Sequence, residues 1–95
     1  MRMMLRWSVP VEKGNQMLED GSMKAMIEST MEMLKPEASY FLPDHGLRSG
    51  MIFFDMKDTS DIPRIVEKLF QSGNAAVEVL PVMNAEDLKK GLAAL

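Results

Sequence analysis

Met3, Leu5, Trp7 and Val9 alternate with Met4, Arg6 and Ser8, the two-residue period of a β-strand, and Pro10 ends it. The odd set is expected to face a core and the mixed even set the opposite side. Val11–Glu19 contains Gly14 and runs into Asp20-Gly21, so any helix there should be weak or broken. From Ser22 the period changes. Met23, Met26, Ile27, Met31 and Leu34 fall on one helical stripe, with Ser22 as N-cap, Pro36 as stop and Lys35 suited to the negative C-terminal end. Alternation returns at Ala38–Leu42, with Ala38, Tyr40 and Leu42 on one side and Ser39 and Phe41 on the other; Pro43-Asp44-His45-Gly46 then reads as a turn.

Gly50–Met56 is different in kind. Met51, Ile52, Phe53 and Phe54 are apolar on both faces, which predicts a central strand covered on both sides. A second strong helix follows, capped by Thr59 or Ser60. Pro63 lies in its first turn, Ile62, Ile65, Val66, Leu69 and Phe70 form its stripe, and Gly73 is expected just past its end. Ala76–Val82 is a fourth strand, and Pro81 places it at a sheet edge. Asn84 and Asp87 make a capping box for a short last helix with Leu88, Leu92 and Leu95 on one side.

The resulting order is strand, helix, strand, strand, helix, strand, with a short terminal helix. It predicts one α+β domain over residues 1–95, a four-stranded sheet with two helices on one face. Two helices leave the other face bare. The apolar third strand therefore calls for a second covering surface, and a homodimer meets that need.

Composition narrows the picture. The chain has 95 residues, 11 Lys plus Arg, 14 Asp plus Glu and no cysteine. The charges are mixed along the chain and no basic patch forms, so no nucleic-acid partner is expected. The absence of Cys removes disulfides, thiol catalysis and thiolate metal sites together. Arg6 interrupts the N-terminal apolar residues, and no stretch approaches the roughly 20 apolar residues of a membrane span. A cytoplasmic protein without a membrane partner is the expectation. Eleven methionines mostly follow the structural periods and read as adaptable core filling.

Few residues invite chemistry. His45 is the single histidine and sits in the predicted turn, so no metal set forms around it. Arg6 and Glu78 lie on strands expected to be neighbours and share the face away from the helices. They read as a cross-strand ion pair or as the polar part of a pocket that also takes in Tyr40. Trp7 is expected in the core. Asp55, at the end of the third strand, would act as a base only if burial raised its pKa. Neither GxGxxG nor GxxxxGK[ST] occurs. No metal, haem, flavin or nucleotide is expected, and the purified protein should show only aromatic absorption and no stoichiometric metal.

Met3–Pro10 (MMLRWSVP), Gly50–Lys57 (GMIFFDMK) and Val77–Val82 (VEVLPV) resemble segments of the small dimeric α+β barrel proteins. More narrowly, the chain resembles an uncharacterised bacterial family of that superfamily. Its closing strand and acidic-capped helix are distantly similar to those of muconolactone isomerase. The resemblance implies a ferredoxin-like βαββαβ sheet and a homodimer whose sheets face each other. It contributes no catalytic motif. The functional expectation is a small homodimer that binds a small apolar ligand between its sheets. The alternative is a cofactor-free monooxygenase or isomerase acting on an aromatic or lactone-like compound.

Overall fold

The alternating segments pair into a single antiparallel sheet. A computed structural model describes all residues, 1–95, and gives four strands, β1 (Arg2–Val9), β2 (Ala38–Asp44), β3 (Leu47–Asp55) and β4 (Ala76–Pro81). The helices are α1 (Val11–Asp20), α2 (Ser22–Leu34), α3 (Ile62–Gly73) and α4 (Ala85–Ala93), with one 3-10 turn at Thr59–Asp61. The strand order is β2-β3-β1-β4. The protein is thus α+β, with an antiparallel sheet consistent with a ferredoxin-like arrangement.

Register assigns each strand residue to a face. Leu5 pairs with Ile52 and Val79, and Trp7 with Gly50 and Val77. Met3, Leu5, Trp7, Val9, Ile52 and Phe54 are buried against Met17, Met23, Met26, Ile65 and Leu69 of the helices. The core therefore lies on one side of the sheet, as the odd positions of β1 indicate. Both edge strands contain proline, Pro43 in β2 and Pro81 in β4, where a missing N–H leaves no ladder bond unmade.

Several local expectations are corrected. The segment after Pro10 is a full ten-residue helix. Gly14 costs about 1 kcal/mol of helix propensity, yet it is buried: a Cβ there would stand 2.7 Å from Arg48 Nη1. Gly14 and Met17 turn α1 toward the sheet, and this burial outweighs propensity. Asp20-Gly21 is the joint between α1 and α2, with Gly21 left-handed at φ 80°. Ser22 is not the cap of α2. It lies inside the helix, and its N–H donates to Asp20 Oδ1 at 2.8 Å.

Thr59 and Ser60 do not cap the second strong helix: they lie in a 3-10 turn capped by Asp58, and α3 follows from Asp61, which makes no side-chain cap bond. Asp58 accepts from the Ser60 N–H at 2.9 Å, which holds its carboxyl below the usual aspartate range. Gly73 is the last residue of α3, close against Met26 Sδ and Val9 Cγ2, and Asn74 takes the left-handed position at φ 50°. The predicted four-residue turn shortens to a tight two-residue hairpin. Pro43 and Asp44 remain in β2, while His45 and Gly46 both take positive φ. The capping box of Asn84 and Asp87 is present as expected.

Gly50 is the glycine on which the core depends most. A Cβ built there would meet three indole atoms of Trp7 at 2.7 Å. Trp7 is buried and lies directly across the ladder, so its ring has to shift to admit the methyl. Gly50→Ala should therefore destabilise by about 1–3 kcal/mol, the usual cost of overpacking. A melting curve checks this, and the accompanying change in Trp7 fluorescence localises the strain.

Candidate functional site

Three surfaces follow from this frame. The first is the sheet face away from the helices. Ladder partners place Ala38, Phe53, Met4 and Leu80 in one row across all four strands, and Tyr40, Met51, Arg6 and Glu78 in the next. No helix covers these rows. Met4, Met51 and Phe53 are half-buried only by their neighbours, and Leu80 and Tyr40 are exposed.

Within the second row, Arg6 and Glu78 meet as the strand neighbours predict. Arg6 Nε and Nη2 donate to Glu78 Oε1 at 3.0 and 2.7 Å. The hydrogen bond to Glu78, reinforced by its charge, raises the Arg6 pKa above its already high value. The pair is open to water and acts mainly on register. Tyr40 shares the row but stands two strands from Arg6, roughly 10 Å across the sheet. Tyr40 does not line the depression around Arg6 and Glu78.

That depression is the second surface. It measures about 290 Å³ and gathers Arg6, Ser8 and Glu78 with Asp44 and His45 of the β2–β3 hairpin. Sequence reading left His45 isolated in its turn. The hairpin carries it to the end of the open face, with Nδ1 2.8 Å from Asp44 Oδ1. The His45 side chain is 92% exposed. Within one chain, water surrounds it, and the neighbouring charges are already paired. No low-dielectric environment therefore sharpens an acid or base.

Asp55 is excluded as a raised-pKa base. It lies exposed beside the Met1 ammonium at 2.6 Å and Lys57 at 3.3 Å, and these hold its carboxyl below the usual range. Metal chemistry also lacks a donor set: no group of three or more His, Cys, Asp or Glu side chains could hold an ion. No helix is long and apolar enough to cross a membrane.

The third surface lies on the helix side, where α2 stops short of the edge strand β2. A pocket of about 360 Å³ opens there between Trp7, Met23, Ile27 and Phe41, with Arg48 at its rim. Its walls are apolar, and the Trp7 and Phe41 ring centroids are 6.4 Å apart and tilted. Sequence reading missed Arg48. The available signal was its parity: it pairs with Val9 and shares the core-facing set of Ile52 and Phe54. A cation on that parity has to be explained by something on the helix side.

Neither a known family model nor a curated protein sequence matches this chain.

Proposed function

We propose that the chain works as a ferredoxin-like homodimer whose open sheet faces oppose each other and hold a small apolar molecule between them. The row Ala38–Phe53–Met4–Leu80 carries this reading. Such a row, uncovered along the full width of a sheet, is unusual for a free monomer surface. The polar ends suit the same arrangement. Arg2, held by Glu37 at 2.6 Å and Asp87 at 3.0 Å, borders the apolar rows on one side, and Arg6–Glu78 crosses them.

The last helix fits the assembly too. α4 has no buried residue, and Leu88 and Leu92 face solvent. Its stripe gains a surface when a second copy lies beside β4, the adjoining edge strand. An assembly of this kind should bury about 2,000 Å² or more in total, the range of obligate dimers.

Light scattering at low micromolar concentration should give twice the 10.7 kDa chain mass. A clean monomer mass removes the reading. Native mass spectrometry of the dimer should then release one small apolar molecule or take up an added one. A dimer whose sheet faces admit no such molecule leaves assembly as the role of that face.

A further inference from the structure

The chain has four arginines, and three face carboxylates: Arg2 with Glu37 and Asp87, Arg6 with Glu78, and Arg64 with Asp61. Arg48 alone has no carboxylate within 4.0 Å, although it is the arginine on the core-facing parity of a strand. It is held in place by α1. Arg48 Nη1 donates to the Val11 carbonyl at 3.4 Å and Nη2 to Asn15 Oδ1 at 3.0 Å. Gly14 lies beside it, where a Cβ would stand 2.7 Å from Nη1. These bonds use two of its five N–H donors and leave three without a partner, on a side chain that lines the pocket between α2 and β2. Arg48 is the only charged residue in that lining.

We infer that this pocket binds a small monocarboxylate with an apolar body. Arg48 takes the carboxylate, and Trp7, Phe41, Met23 and Ile27 line the open depression that receives the body. The volume of about 360 Å³ lies at the small end of ligand sites, which selects a single ring or a short chain. Apolar walls reward burial of the body, and a positioned guanidinium distinguishes an anion from its neutral isostere through charge-assisted hydrogen bonds. The pocket lies on the opposite side of the sheet from the proposed dimer face. The two readings therefore stand or fall separately.

Trp7 is the only tryptophan and forms one wall, so its fluorescence reports occupancy directly. The intact chain is titrated with phenylacetate and, in parallel, with phenylacetamide. Phenylacetate should give a saturable change and bind at least about ten-fold tighter than the amide, as a charge-assisted pair implies. Rising salt should weaken the acid and leave the amide unaffected. Arg48→Met should abolish the preference, and Arg48→Lys should retain part of it, because lysine keeps the charge and loses the fork. A monomeric Phe53→Asp variant should bind phenylacetate as the wild type does. Absence of saturable binding, equal affinity for acid and amide, or undiminished preference in a folded Arg48→Met variant overturns the proposal. Should Arg48→Met unfold because α1 loses its anchor, the acid-to-amide ratio and its salt dependence in the wild type decide the matter alone.

Discussion

Ile65→Asp and Met26→Asp should each leave the chain unfolded at room temperature, while His45→Ala should melt like the wild type. Ile65 is 1% and Met26 5% exposed, on the faces of α3 and α2 turned to the sheet. Truncating such a side chain costs about 2–5 kcal/mol, and burying a carboxyl without partners adds roughly 2–7 kcal/mol. A domain of this size has only about 5–14 kcal/mol in total. The sum reaches or exceeds the whole stability, and α2 and α3 have no other surface against which to turn the charge. His45 projects from a two-residue hairpin into water, so its removal should change stability by less than about 0.5 kcal/mol. Circular dichroism melts of the three variants check the set. A large loss in His45→Ala would mean that the depression it shares with Arg6 and Glu78 holds the hairpin in place.

Phe53→Asp should convert the proposed dimer into a folded monomer. Phe53 sits in the middle of the apolar row, on a central strand, flanked by Ala38 and Met4. Its ring points away from the core, so a carboxylate there remains in water in the single chain and costs little. Between two opposed sheets, the same carboxylate would be buried without a cation to meet it. That cost is about several kcal/mol per chain, and a two-fold interface places the change on both sides. Association should weaken by several orders of magnitude, because each 1.4 kcal/mol is ten-fold. Light scattering reads the mass, and circular dichroism confirms that the sheet and helices persist. An unchanged dimer mass would move the interface off the sheet face.

The contrast between Ile65 and Phe53 shows how much the pattern of the chain can specify. Period two in β1 and the helical stripes through Met26 and Ile65 indicated most of the core, because a buried face must be apolar at its repeats, although Phe70 of the α3 stripe is exposed and Met17 of the discounted α1 is buried. Pro81 correctly marked β4 as an edge, since a central strand needs every N–H, whereas Pro43, read as part of a turn, lies in the other edge strand. The Asn84–Asp87 box was readable because its bonds are local.

The places where reading failed have a shared cause. α1 was discounted for its glycine, but Gly14 is buried against the Arg48 side chain and Met17 enters the core. Gly73 was expected just past α3, but it is the last residue of the helix and Asn74 takes the left-handed position. Asp20 and Asp58, rather than Ser22, Thr59 or Ser60, accept the N–H bonds just before α2 and in the 3-10 turn ahead of α3, a local choice of one or two residues that periodicity does not resolve. Arg6, Tyr40 and Glu78, expected to line one pocket, share a face and a row of the ladder. Strand spacing then separated Tyr40 from the pair, and the twist of the hairpin brought Asp44 and His45 in its place. Arg48 entered a pocket with Trp7 and Phe41 through contacts between distant segments. Local periodicity acts over a few residues and decides element type and inward face. Close approaches and pockets arise between segments far apart in the chain, and only the assembled sheet and helices decide them.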